Sequence, residues 1–219
     1  MRLTAVERAG AVMSGGERTG PRAESPAALL LREFVNTLDV ESAADGIGTP
    51  AELAGWLAGR GLVPAGTPAG AADLATATAL REGLRAAMLA HHAPDHGPAV
   101  PEPADHAAPG RGTNGAGAVA GLEEALGRLP LRLALGGGRP ALVPAGTGAA
   151  AGLARIAAAV MESVADGTWP RLKVCQESTC LWAFLDTSKN RSRAWCSMRV
   201  CGNRTKTRTY RARRRTPAP

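Results

Sequence analysis

From Ser25 onward, apolar side chains recur with the period of an α-helix. Ser25-Pro26 reads as an N-cap followed by proline at the first helical position. Behind it, Ala27, Leu30, Leu31, Phe34, Val35 and Leu38 fall at i, i+3, i+4, i+7, i+8 and i+11, one continuous stripe. Thr49-Pro50-Ala51-Glu52 has the form of a capping box. It predicts a short helix with Leu53, Trp56 and Leu57 on one side and Gly61 as its stop. A third helix is expected over roughly 71–92, with Leu80, Leu84, Ala87 and Met88 inward. A short one is expected over 117–128. A long one over 148–166 places Leu153, Ile156, Val160, Met161 and Val164 on one face and ends at Gly167. LRLAL (131–135) and PALVP (140–144), joined by a Gly-rich turn, read as a hairpin. The pattern fails over 93–121, where eleven of 29 residues are Pro or Gly, so a flexible insertion is expected there. Residues 1–24 are expected to be disordered. The fold class is mainly α with a small β-hairpin.

Beyond residue 168 the chain changes character. Five of its seven aromatics follow, Trp169, Trp182, Phe184, Trp195 and Tyr210, and so do all four cysteines. A boundary near 167–172 separates an α-rich domain (25–167) from a C-terminal module (172–215). Charge marks the same division. Residues 1–170 hold 13 Arg against 17 Asp/Glu, a net of −4, whereas 171–219 hold 13 Lys/Arg against Glu177 and Asp186, a net of +11. A cationic end on a neutral-to-acidic body points to a polyanion partner. No membrane-length apolar run and no secretory leader are expected, which points to the cytoplasm, where thiols stay reduced.

The cysteines follow the pattern Cys175-x4-Cys180-x15-Cys196-x4-Cys201. Two short-spaced pairs fit a tetrahedral four-thiolate Zn²⁺ site with no open position, hence one structural zinc ion. Two disulfides, free core thiols and a redox switch are the competing readings. The disulfides suffer from the compartment, the free thiols from the clustering; the redox switch is compatible with zinc. Few large apolar residues lie in 171–219, so metal binding would have to stabilise the module.

After Cys201 the chain runs GNRTKTRTYRARRRTPAP. If helical, Arg204, Arg208, Arg211 and Arg215 line one face, and Lys206, Tyr210 and Arg213 another. Thr205, Thr207 and Thr209 oppose the helix, being β-branched. Together with Arg214 and the upstream Lys189, Arg191 and Arg193, these cations are the candidate nucleic-acid contacts, double-stranded DNA being the favoured partner. Arg204, next to the metal, is the candidate for a base edge. Alone, such a run is as readily a solvated tail.

The stretch WCSMRVCGNRTKTRTYRARR resembles the CGNR zinc finger of bacterial proteins, its name matching Cys201, Gly202, Asn203 and Arg204. Phe184, Asp186 and Ser188 to Arg191 resemble the first half of that finger. Ala194 stands where many relatives carry a second arginine, a departure that removes one cationic contact and no metal ligand. LLREFVNTLDV, LAGWLAGRGL and LREGLRAAM resemble the ABATE domain that accompanies it, a family described as stress-induced transcription regulators. The resemblance implies a treble-clef arrangement: knuckle, hairpin, then a helix carrying the last cysteine and the basic face. It also implies a nucleoid-associated DNA-binding regulator with an N-terminal domain that senses a ligand or protein partner. RNA or ribosome association, and a protein-interaction or redox-sensing zinc module, are the alternatives. His91, His92, His96 and His106 are expected to be solvated. Asn36-Thr37 and Trp56 are expected to form a solvated or partner-contact surface rather than a pocket. No nucleophile-and-base arrangement is present in the sequence, so no enzyme is expected.

Overall fold

Ser25 and Thr49 start the first two helices by the same device. The Ser25 hydroxyl accepts the Ala28 amide at 3.2 Å and the Thr49 hydroxyl that of Glu52 at 3.2 Å. The Glu52 carboxylate then accepts from the Thr49 hydroxyl at 3.0 Å, not from its backbone. The computed structural model describes residues 24–92, 115–136 and 138–215. The expected disorder over 1–24 falls outside them except at Glu24, and so does 93–114 of the expected insertion.

The order of elements is α1 (Pro26–Val35), β1 (Leu38–Asp39), β2 (Ala44–Asp45), α2 (Pro50–Gly59) and α3 (Ala71–Leu89). There follow α4 (Gly115–Gly127), β3 (Leu131–Ala134), β4 (Ala141–Pro144) and α5 (Gly148–Ala165). The chain ends with β5 (Leu172–Val174), β6 (Ala183–Leu185) and α6 (Asn203–Arg215). The strands pair as three antiparallel ribbons, β1–β2, β3–β4 and β5–β6. The fold is mainly α with small two-stranded sheets, as the periodicity predicts.

Leu38, the last residue of the predicted α1 stripe, belongs to β1 instead. In α5, Leu153 and Ile156 are buried, but Met161 and Val164 face outward. The insertion ends earlier than composition suggests. Residues 115–121 open α4, and Leu122 packs so closely on Gly83 of α3 that a Cβ there would meet it at 2.4 Å. Excising 93–121 would therefore destroy a packed helix, not trim a loop. Among the described residues, α5 alone has the length and apolarity of a membrane span; here it is a core helix against α1, α2 and β4.

Among the described residues, one core runs from α1 to β6. Leu172, Val174, Leu181, Ala183 and Leu185, from beyond the expected boundary, are buried in the same cluster as Leu31, Phe34, Leu84, Met88 and Ile156. The C-terminal module lacks apolar residues for a core of its own because its strands complete the core of the body.

Candidate metal centre and basic helix

The β5–β6 ribbon brackets the first cysteine pair: Cys175 leaves β5, Cys180 precedes β6, and the Cys175 amide donates to the Trp182 carbonyl at 2.9 Å. The treble-clef resemblance implies a hairpin after the first knuckle; the β5–β6 ribbon lies around that knuckle instead, because β5 comes from before Cys175. The knuckle turns on the Glu177 carbonyl, which accepts the amides of Cys180 at 2.9 Å and Leu181 at 3.2 Å, with Leu181 at φ +50°. Gln176 N donates to Ala194 O at 3.0 Å and joins the two halves. Cys196 precedes a π-turn, Met198–Gly202, that carries Cys201; Ser197 O accepts the amides of Cys201 at 2.9 Å and Gly202 at 3.1 Å. Cys201 thus lies in the turn leading into α6, not in the helix itself. Gly202 is packed so tightly that a Cβ there would meet Met198 Sδ at 2.3 Å.

All four Sγ atoms lie within 4.8 Å of one another. Cys180–Cys196 and Cys196–Cys201 are separated by 3.6 and 3.7 Å. A zinc–thiolate tetrahedron with bonds of about 2.3 Å has edges of about 3.8 Å, so the sulfurs fit it and are far outside disulfide length. Electrostatics point the same way. A hydrogen bond from Cys175 brings the Cys180 thiol down to about 6. Burial and the Cys180 charge push Cys196 up to about 12 and raise Cys201. The hydrogen bond to Cys180 and burial raise Cys175. Four sulfurs this close cannot all ionise without a cation among them.

Asp186, fully buried, organises the loop that follows β6. Burial pushes its carboxyl up, but hydrogen bonds from Ser188, Lys173 and the Arg193 amide outweigh this and hold it down at about 2. Lys173 Nζ lies 2.9 Å from Asp186 Oδ2 and also donates to the Arg191 carbonyl. The Asp186 and Ser188 to Arg191 stretch is therefore held from within. Ala194 is buried, 2% exposed.

The cations predicted to contact nucleic acid divide into two sets. Arg204 donates to Thr179 Oγ1 and to Glu41 Oε1 of the body, both at 3.0 Å. Arg208 donates to buried Glu177 at 2.5 Å and to Ser178 at 3.2 Å. Arg193 lies 4.9 Å from the Phe184 ring centroid and donates to Cys196 O at 2.6 Å. Lys189, Arg191, Lys206 and Arg211 are exposed. The side chains of Arg213, Arg214 and Arg215 lie outside the described residues, though the helix continues through Arg215. The predicted face of Arg204, Arg208 and Arg211 is split, because the buried carboxylate of Glu177 and the nearby Glu41 draw the first two inward. The threonines are compatible with the helix for a local reason: Thr205 and Thr209 each donate to the carbonyl four residues back, at 3.0 Å.

Asn36, His91 and His92, expected to be solvated, hold the module to the body together with Arg85. Asn36 Nδ2 donates to Ala183 O at 2.9 Å, and Asn36 Oδ1 accepts the Ala183 amide at 2.7 Å. Arg85 donates to Leu181 O at 2.8 Å and Val35 O at 2.7 Å. His91 Nδ1–H and His92 Nε2–H donate to the Leu172 and Val174 carbonyls at 2.8 and 2.7 Å. His96 and His106 lie outside the described residues. Asn36, Thr37 and Trp56 also line an open cleft of ≈ 610 Å³ on the surface. Spacing along the chain carries no signal for these contacts; the placement of Asn36 off the apolar stripe of α1 points to solvent instead.

Two family models match the chain. The CGNR zinc finger matches residues 171–214. ABATE, described as "Putative stress-induced transcription regulator", matches residues 28–167. Among curated proteins, none matches.

Proposed function

The chain belongs to the ABATE family and ends in a CGNR zinc finger, and from that premise we propose a cytoplasmic, nucleoid-associated DNA-binding transcription regulator. One structural Zn²⁺ is held by Cys175, Cys180, Cys196 and Cys201, and the α-rich domain senses a ligand or partner. When bound, the metal supplies a fixed tetrahedral crosslink and charge compensation for the thiolates. The chain's own residues do the rest. Glu177 orients α6 through Arg208 and Thr205, and Lys173 with Asp186 fixes the loop carrying Lys189 and Arg191. We read the protein as a binding module and not as an enzyme.

The observation that carries this reading is α6 itself. It stands directly on the last cysteine turn, presents Lys206 and Arg211 outward, and no acidic residue follows Asp186 in the chain. Such a surface gains free energy by releasing counterions from a polyanion. Arg204 remains the candidate base contact, but it reaches a base only by leaving Glu41.

Salt-dependent binding tests the reading. Duplex affinity should fall with log salt at a slope of roughly −5 to −6 if about five to seven phosphates are neutralised. Truncation after Tyr210 should make the slope shallower by up to ~3 to 4 with zinc content unchanged. Equal binding by the truncated chain would reduce the tail to a solvated charge run. Preference for structured RNA over duplex in competition would favour RNA or ribosome association.

A further inference from the structure

The cleft at the seam between body and zinc finger has the size of a small-molecule site, ≈ 610 Å³ against the usual range of roughly 300–1,000 Å³. Its walls come from both sides. Arg32, Glu33 and Asn36 stand on α1 or at its end, Trp56 and Arg60 on α2 or at its end, and Trp182 on the zinc knuckle. Two of the chain's four tryptophans therefore face one opening. Trp56 is braced from behind by Phe34, with ring centroids 5.5 Å apart, and the Arg60 guanidinium lies 5.3 Å from its centroid. Trp182 is 38% exposed, although Leu181 and Ala183 on either side of it are buried. An indole left partly in water between two buried neighbours gains from a flat apolar occupant.

The charges narrow the chemistry. Arg32 and Arg60 bring two guanidiniums to the wall; Arg32 is paired with Glu24 at 3.1 Å and Arg60 with Glu33. Their charges balance pair by pair, so the wall has no large charge of either sign to match a polycation or a polyphosphate. Each guanidinium carries five donors, so it can hold one ligand carboxylate beside the acid already paired with it. We propose that this cleft binds a planar aromatic monocarboxylate of one or two rings, stacked on the indoles with its carboxylate at Arg60 or Arg32. This makes it the sensor site of the regulator, and only that last step rests on the reading of the chain as one. An occupant would touch Trp182, whose neighbours are the two residues by which the body grips the finger: Leu181 through Arg85 and Ala183 through Asn36. Ligand in the cleft thus bears on the seat of the zinc finger.

The test is isothermal titration of zinc-loaded full-length protein with benzoate, salicylate and indole-3-acetate, alongside benzamide and cyclohexanecarboxylate. At least one aromatic acid should bind saturably at one per chain and quench tryptophan emission. The neutral amide and the non-aromatic acid should bind at least about tenfold more weakly, the loss expected for a missing charge-assisted pair. Arg60→Gln and Trp182→Leu should each weaken the acid about tenfold with little change in melting temperature, since both side chains are part-exposed. Absence of saturable binding by all three acids, or binding unaltered in both variants, overturns the site. Saturable binding that leaves the salt-dependent duplex affinity unchanged overturns the coupling while the site stands. Failure to bind duplex under any condition overturns the regulator reading, and the titration then still decides by itself whether the cleft is a ligand site.

Discussion

Helices α3 and α6 both carry arginines four residues apart, and they use them in opposite ways. On α3, Arg81 is 3% exposed and Arg85 5%. Arg81 grips Asp45 with two bonds of 2.7 and 3.0 Å, and Arg85 spreads its fork over the carbonyls of Val35 and Leu181. They are struts that close the body and hold the finger to it. On α6, Arg204 and Arg208 are pinned at the edge of the finger, while Lys206 and Arg211 stay in water. Residue type and helical spacing are the same in both helices. The supply of buried acceptors differs, and that supply decides whether a guanidinium braces the fold or remains available to a partner.

The severest way to break this comparison is to remove the metal. Chelation, or Cys201→Ser, withdraws a binding free energy on the order of 10 kcal/mol. Since β5 and β6 share the core with α1 and α5, unfolding should spread past residue 172 and deprive Arg85 of Leu181 O. Hydrogen exchange on α3 should accelerate together with that on α6. Unchanged protection of α3 would show that the two regions fold independently.

Exchanging single arginines sharpens it next. Arg85→Ala should cost about 2–4 kcal/mol in denaturant unfolding, because the buried carbonyls of Leu181 and Val35 lose their donor, while Glu82 keeps Arg81 as its partner. Arg211→Ala should stay within about 0.5 kcal/mol. Nucleic-acid binding should separate the pair in the reverse sense, Arg211→Ala lowering the salt slope by roughly 0.9.

Acid should distinguish the regions more gently. Asp186 is held down at about 2, below an unfolded carboxyl near ~3.9, so its pairing stabilises the fold fully above pH ~4. That contribution, about 2 kcal/mol, is lost as pH falls through about 2. Acid unfolding of Asp186→Asn should lack this segment of the pH dependence. A parallel curve for the variant would mean that Lys173 and Asp186 are not coupled.

The smallest expected effect lies at Glu41, whose carboxylate is 55% exposed and holds Arg204. Glu41→Gln should tighten duplex binding by a few-fold at low salt, in line with an exposed pair worth roughly 0.2–1 kcal/mol, without altering the melting temperature. Weaker binding would mean that Glu41 positions Arg204 for its partner rather than withholding it.

By itself the sequence determined which four cysteines come together, the helix starts at Ser25 and Thr49, the mainly α class and the charge asymmetry. Each of these is a local signal: a cysteine spacing, a cap within three residues, a periodicity, a count. Tertiary structure alone decided what the isolated polar residues do. Asn36 finds Ala183 and Arg204 finds Glu41 across 147 and 163 residues of chain, and His91 and His92 find β5 from the end of α3. A buried polar group must take whatever acceptor packing brings to it, and no spacing along the chain encodes which acceptor that is. The boundary near 167–172 falls where the two family matches meet, yet packing runs across it. Composition changes there, but burial does not, because Leu172, Val174 and Leu185 had no core to join except the one already built by the helices.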